Sequence, residues 1–432
     1  MFKKNNIIIY TTIIILLYIY FHDPFYIPNI GGLLGRGASQ LSMIILYICG
    51  IWFLWIRNAK FKNFTRIFPT ELKFLIALLC WSIVGLLTGG QSLMFTNHIK
   101  IVLTNYIIPS FFLYIFYTNS IDTEFKFARV LLLVACVGAA GTLLCMLNPS
   151  INEAYKMTVL KLDSDNFLLE GFRGFGFSTA LTSGYGYIQG ALVALGIYYG
   201  KQNRWFYLFI PFVFMSAMFN ARTGAIIAAL GIILCLVKQR ITTGNLVLFL
   251  TLCIAIFNIQ SVLELFINRV GLDPKASIWI QTFFTDIENT RESGIASSTT
   301  GSVLMGEMLL WPEDTISWIF GCGQDIFKVG FHSGGNSDVG YIRQLNYGGL
   351  IYIFILYSYV YYMIKRLFQQ KHTFFAWFFL ISALILNLKS SFMWYQGGVF
   401  GFYLLIYYYL IYSDTYIKST NRSINIHHKK TQ

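Results

Sequence analysis

Apolar residues in this chain come in long runs rather than in alternation. About twelve segments rich in Ile, Leu, Phe, Val, Ala and Tyr follow one another at 7–22, 41–56, 71–88, 98–117, 128–147, 181–200, 205–219, 224–237, 246–263, 347–364, 373–388 and 397–413, with polar stretches between them. A half-buried strand alternates every second residue, and a soluble helix is apolar along one stripe only. Runs that are apolar all round and of this length fit helices crossing a hydrocarbon core of roughly 30 Å. The pattern predicts an all-α, polytopic integral membrane protein, a single membrane-embedded domain over 1–432 with about twelve transmembrane helices. The first run follows Lys3 and Lys4 and has no small-residue cleavage site before Pro24, so it reads as a retained span rather than a signal peptide.

Two connections exceed the usual length, 148–180 and 264–346, the larger lying between the ninth and tenth spans. Loops that long are usually functional or disordered. Within the second, Val303 to Phe320, with Trp311 and Trp318, is expected to form short helices against the membrane surface, and the Ser/Thr/Gly-rich 294–302 to be flexible.

Composition agrees: 56% of residues are hydrophobic and 12% charged, against about 25% charged in soluble domains. A net charge of +13 raises the question of a nucleic-acid partner, but the basic residues sort by side. With Lys3 and Lys4 in the cytoplasm, Arg57/Lys60/Lys62/Arg66, Lys126/Arg129, Lys201/Arg204, Lys238/Arg240, Lys365/Arg366/Lys371 and the C-terminal group from Lys418 all fall inside, and both termini are cytoplasmic. The 264–346 loop, placed outside, holds ten acidic and five basic residues. The excess is that of a membrane protein, and no nucleic-acid reading follows. Six of the seven cysteines lie in apolar runs and Cys322 stands alone in the long loop, so neither a disulfide framework nor a Cys-x-x-Cys metal site is available.

Arginine is the unexpected residue on the outer side, and three sit near helix ends: Arg173 in a glycine-rich stretch, Arg222 in the tight turn Asn220-Ala221-Arg222-Thr223-Gly224, and Arg343 directly before a helix. A guanidinium binds phosphate bidentately; the bland alternative is snorkelling or pairing with a carboxylate. Arg222 has no acidic neighbour in sequence, whereas Arg173 is near Glu170 and Arg343 near Asp338. The stretch 334–343 also brings Asp338 and Tyr341 to the same helix mouth. Asp338 serves as a general base there if its surroundings raise its pKa towards neutrality; capping of the following helix by Ser337 or Asp338 explains the same residues. Asp163-Ser164-Asp165 imitates a metal-binding carboxylate pair but falls on the outer side, and His98 and His332 are isolated, so no metal is expected.

Four local motifs, Arg173-Gly-Phe-Gly-Phe177, Ala221-Arg-Thr-Gly224, Gly321-Cys322-Gly323 and Ser337-Asp338-x-Gly340-Tyr341-x-Arg343 running into Tyr347-Gly348-Gly349, occur in the order and layout that resemble the O-antigen and capsular polysaccharide polymerase family (Wzy), a relative of the O-antigen ligases. The ligase branch shows a histidine, then Asn, Ser or Gln, nine residues and a glycine. Here Ser337 stands in the histidine's place, Asp338 follows, and Gly348 closes the spacing, while His332 is five residues too early; the departure favours polymerase over ligase. The resemblance implies a GT-C-like fold in a bacterial plasma (inner) membrane, undecaprenyl-diphosphate-linked glycans as substrates on the outer face, a chain-length regulator as partner beside the membrane lipids, and neither metal nor cofactor. On it, Arg173, Arg222 and Arg343 bind the diphosphate, Asp338, with Glu170 as second choice, is the base, and Tyr341 and Trp311 stack on sugar faces. The alternatives are a ligase-type glycan transferase or, in a different class, a lipid-linked oligosaccharide flippase. Transporters place ionisable residues near the bilayer midplane, where these runs have essentially none.

Overall fold

A computed structural model describes residues 4–24, 41–87, 90, 92–159, 176–178, 183–238, 247, 285, 289, 291–292, 308–323, 337, 339–389 and 398–430. Among them every regular element is a helix: α1 (Lys4–His22), α2 (Leu41–Ile56), α3 (Asn58–Ile67), α4 (Pro69–Leu87), α5 (Ser92–Val102), α6 (Ile108–Thr118), α7 (Glu124–Leu147), α8 (Pro149–Ala154), α9 (Ser183–Gly200), α10 (Trp205–Asn220), α11 (Arg222–Lys238), α12 (Thr315–Phe320), α13 (Gly340–Gln369), α14 (Thr373–Lys389) and α15 (Gly398–Lys430). Eleven of the twelve apolar segments coincide with these helices, and the segment 246–263 lies outside the described residues. Four helical stretches, Pro69–Leu87, His98–Thr118, Glu124–Leu147 and Gly340–Gln369, are long and apolar enough to cross a membrane, or five if the bent pair α2–α3 is one span; four further apolar helices are shorter.

Two segments read as loops are helical. Residues 57–70, expected as a basic connection, contain α3, which turns 98° from α2. Phe61, Phe64 and Phe68 recur at helical spacing among lysines and arginines, so this stretch has an apolar face to bury and a charged one to expose. Phe64 sits edge-on to Tyr106 and Tyr408, at 4.9 and 5.2 Å between ring centroids. In the connection after α7, α8 and a π-helical turn (Tyr155–Val159) carry the Tyr155 hydroxyl to the Pro24 carbonyl, at 2.7 Å. Another π turn, Leu103–Ile107, joins α5 to α6 just ahead of Pro109, which has no amide to donate to the carbonyl four residues back. The Tyr20 hydroxyl donates to the Thr104 carbonyl inside that turn, at 2.8 Å.

Lipid is as apolar as leucine, so helices in a bilayer associate through close packing and hydrogen bonds. The seam between α9 and α11 illustrates the first. Gly186, Gly190 and Ala194, four apart on α9, face Ala221, Gly224, Ala228 and Gly231. A Cβ on Gly190 would run into the Gly224 carbonyl. Hydrogen bonds and ion pairs lock one end of the bundle. Glu71, fully buried at the start of α4, pairs with Arg366 near the end of α13 at 2.5 Å and accepts from the Tyr407 hydroxyl of α15. Arg366 also donates to the Ile67 carbonyl at 2.9 Å and lies 5.0 Å from the Phe68 ring centroid. Nearby in chain logic, His372 bonds Asp414 at 3.1 Å, and Glu124 accepts from the Tyr199 hydroxyl at 2.6 Å. Arg366, His372, Asp414 and Glu124 lie in or next to connections read as sharing one side, and Glu71, Tyr199 and Tyr407 reach them from the helices, so that set of helix ends gathers together.

Removing one partner of a buried ion pair leaves the other charge uncompensated, at a cost of roughly 3–5 kcal/mol. Glu71→Ala is therefore expected to lower the thermal unfolding midpoint of the purified protein in detergent by several degrees or more, whereas Asp122→Ala, which breaks the exposed Asp122–Lys126 pair, leaves it nearly unchanged.

Candidate functional site

The opposite end of the bundle holds a broken helix. α13 is interrupted at Gly349, whose φ of 66° and ψ of −169° suit glycine and strain any other residue. The break turns three successive carbonyls away from the helix, and each finds an outside donor: Asn346 from the Cys322 amide at 2.7 Å, Tyr347 from the Gly323 amide at 2.9 Å, and Gly348 from the Trp81 indole of α4 at 2.9 Å. The donor strand is the Gly321-Cys322-Gly323 turn, with both glycines at positive φ. Its backbone lies so close that a Cβ on Gly349 would meet the Ile319 carbonyl and sit 2.6 Å from the Gly321 amide. On the far side, a Cβ on Gly323 would be 2.6 Å from the Cα of Gly90. Two glycine motifs well apart in sequence thus form one junction.

α12 delivers that turn. Asp314 starts it by accepting from the Ser317 amide and hydroxyl at 2.8 and 2.6 Å, bonds that hold its carboxyl below the ordinary range, and Gly321 ends it. Ahead of it, Met308, Leu309 and Leu310 pack on Val339, Tyr341 and Ile342, while the Asn346 side chain donates to the Leu310 carbonyl at 2.8 Å. Ser337 ties the same two strands together, donating to the Met308 carbonyl at 2.7 Å and accepting from the Val339 amide at 3.2 Å. The first half of α13, residues 340–348, is therefore held along its whole length.

Around that half-helix the polar groups form two buried sets. Gln344, Asn387 of α14 and Tyr357 are mutually hydrogen-bonded, with Tyr357 donating to the Gln344 amide oxygen at 3.1 Å. His98 of α5 bonds the hydroxyls of Tyr352 and Tyr347 through its two ring nitrogens, each at 3.2 Å. A further layer lies under the start of α11. Tyr185 donates to the Gly138 carbonyl at 2.5 Å and sits 3.0 Å from the Thr142 hydroxyl, which bonds Ser216 at 2.8 Å, and the Asn220 amide donates to the Ser216 carbonyl at 3.0 Å. Gly176, with φ of 114°, closes over Thr142 and Tyr185, while Phe177 and Ser178 are bonded to Tyr18 and to the His22 carbonyl of α1, each at 2.8 Å. α14 contacts both α11 and α13 and so joins these two helices. Hydroxyls and amides of this kind carry donors and acceptors but no charge.

Arg343, expected just before a helix, lies inside the first half of α13 and is buried, with 9% of its surface exposed. The sequence reading missed this because the apolar run begins only at Tyr347, next to the glycine break, so the more polar half-helix ahead of it read as loop. Arg222 opens α11, and its side chain, like Arg173, Glu170, Asp338 and His332, lies outside the described residues. Tyr341 is half-buried, parallel to Tyr357 at 6.1 Å, with its hydroxyl on the Leu384 carbonyl at 3.2 Å. Trp311 is 53% exposed and stacks by one face on Trp318, centroids 5.6 Å apart. Ser337 accepts from the Val339 amide just ahead of α13, which carries no side-chain cap at its start, and His98 is held by two tyrosine hydroxyls. Among the described residues no cluster of His, Cys, Asp or Glu is suited to a metal ion. Of the residues that sequence reasoning passed over, Thr142, Tyr185 and Asn387 share one signal, a polar group inside an apolar run, while Gln344 and Asn220 lie just outside the runs. Compared with known proteins, the chain matches no family model and no curated protein, so the resemblance drawn above stands on its motifs.

The junction makes a direct prediction. Trp81→Phe keeps a ring against Phe320 but leaves the Gly348 carbonyl without its donor, a loss of about 1–3 kcal/mol. Gly349→Ala forces a side chain into the Ile319 carbonyl and is expected to destabilise more. Thermal unfolding of both variants measures the order; an unaltered midpoint for Gly349→Ala would count against a break at this position.

Proposed function

We propose that the chain is a membrane glycosyltransferase of GT-C-like architecture, with about twelve spans and both termini in the cytoplasm, that polymerises undecaprenyl-diphosphate-linked repeat units on the outer face of a bacterial plasma membrane. The observation that supports this most directly is the meeting of two motifs on which the resemblance rests, Gly321-Cys322-Gly323 and Tyr347-Gly348-Gly349, in one backbone junction that fixes the half-helix carrying Arg343. Broken helices with a buried polar lining are where membrane transferases and transporters hold anionic substrates, because irregular backbone survives in a bilayer only when protein covers it.

In the proposed reaction a sugar hydroxyl of an incoming lipid-linked repeat attacks the anomeric carbon of the growing chain. The glycosidic C–O bond forms as the bond from the anomeric carbon to the diphosphate oxygen breaks; the hydroxyl proton passes to Asp338, with Glu170 as second choice, and undecaprenyl diphosphate leaves. Arg173, Arg222 and Arg343 are assigned to the charge that develops on the diphosphate, a preorganised contribution of several kcal/mol in a site shielded from water. Tyr341 and the free face of Trp311 are assigned to sugar stacking. A chain-length regulator is the expected protein partner.

Deletion in the native host tests the reaction class: single capped repeats on a polysaccharide gel are expected, whereas unattached polymer would identify a ligase instead. Asp338→Asn keeps the shape and capping ability of the side chain but removes the proton acceptor, so polymer is expected to vanish while lipid-linked single repeats accumulate; normal chain lengths would strike Asp338 from the mechanism. Arg222→Lys retains charge and loses the planar two-donor geometry, and polymer yield should fall at least tenfold at equal protein level. Membrane-impermeant thiol reagent applied from outside should label a single cysteine placed within 264–346 of an otherwise cysteine-free chain, and labelling only after permeabilisation would reverse the orientation.

A further inference from the structure

We infer that α3 is a docking surface for anionic phospholipid headgroups. The inference is independent of the enzyme reading and needs only that α2 and α4 enter the bilayer. α2 is apolar and α4 is one of the helices long enough to cross; α3 joins them at 98° to α2, so it runs along the membrane surface rather than through it. Ten residues at about 1.5 Å each make it about 15 Å long, the width of one or two lipid headgroups. Its underside is aromatic: Phe64 is buried and Phe61 half-buried against Phe53, Phe68 and Tyr106. Its outer side exposes Arg57, Lys60, Lys62 and Arg66, and Lys73 on α4 and Lys365 on α13 are exposed close by in the fold.

What makes this surface specific is the fate of its carboxylate. Residues 57–73 contain one acidic side chain, Glu71, and it is turned fully inwards onto Arg366 and Tyr407. Arg366 in turn bonds the Ile67 carbonyl, so the ion pair that neutralises the acid also pins the end of α3. The exposed face is left with cations alone, and no ion pair is formed by Arg57, Lys60, Lys62 or Arg66 among the described residues. Cations fixed at headgroup level on a helix parallel to the surface complement phosphate diesters of anionic lipids; an acidic protein would have to approach the same face from the water side.

The probe is phosphatidylglycerol. The full-length protein is reconstituted in bilayers of phosphatidylcholine with phosphatidylglycerol, and the lipids that remain bound on release are weighed by native mass spectrometry. The wild type is expected to retain phosphatidylglycerol above its share of the bilayer, and the excess to shrink as salt is raised. In the triple variant K60Q/K62Q/R66Q the excess should fall roughly tenfold or more, given the contribution of each surface cation, while K60R/K62R/R66K keeps it. All six substitutions are on exposed side chains, and equal thermal midpoints verify the fold. No excess in the wild type, an excess indifferent to salt, or an undiminished excess in the glutamine variant would each overturn the proposal. So would loss in the charge-conserving variant, which would point to shape rather than charge. If the glutamine variant does not fold, the salt series on the wild type decides alone.

Discussion

A backbone surrounded by hydrocarbon has nowhere to send an amide or a carbonyl except to itself, and the architecture follows from that. Helices satisfy the requirement internally, which is why every described element is helical. The instructive places are those where a helix fails. At Gly349 three carbonyls lose their partners in line, and the chain supplies two amides from a turn far away in sequence and one indole from α4. At the π turn before Pro109 a tyrosine hydroxyl from α1 reaches the Thr104 carbonyl. At the end of α3 the Arg366 guanidinium takes the Ile67 carbonyl. Each interruption therefore fixes a tertiary contact, and the tertiary contacts in turn permit the interruptions.

The two ends of the bundle differ in how they use polar groups. One end is tied by an ion pair and a histidine–carboxylate contact: Glu71 with Arg366, and His372 with Asp414 beside Glu124. The other is tied by neutral hydroxyls, amides and bare backbone, with glycines allowing chain segments to touch. Neutral networks of this kind hold helices in register, and the charged groups buried at this end, Arg343, Asp23 and Lys156, sit beside them.

Much of this was legible in the sequence because a membrane span needs only a long apolar run, and the runs are long. The boundaries of α9, α10 and α14 agree with the pattern to within a few residues. α3 was not foreseen, since ten residues carrying three lysine and arginine side chains read as a cytoplasmic connection until the spacing of Phe61, Phe64 and Phe68 is weighed. The first half of α13 was missed for the opposite reason: Gly340 to Asn346 is too polar for a span, and only its tertiary cover makes it helical and buried. Arg343, expected just before a helix, lies inside one. No spacing rule relates Gly321-Cys322-Gly323 to Tyr347-Gly348-Gly349, since contacts between distant segments leave no local period to read. The polar residues of the Tyr185 layer were visible as interruptions of apolar runs, but their convergence was not.

The length of α13 connects the two ends. Beyond the break, residues 350–369 make twenty positions of helix, about 30 Å at the standard rise, which is the thickness of a hydrocarbon core. Lys365 and Arg366 stand near the far end of this stretch, beside α3 with its exposed cations. If those cations sit at one headgroup layer, Gly349 falls at or near the opposite one, and the half-helix 340–348 with Arg343 lies at that second membrane–water boundary. The basic helix and the Glu71–Arg366 pair then set the vertical position of the bundle, and the glycine junction sets where along α13 the membrane-crossing helix stops. Together they determine the height at which the half-helix and the polar groups around it are presented, and a change at either end shifts the other relative to the lipid.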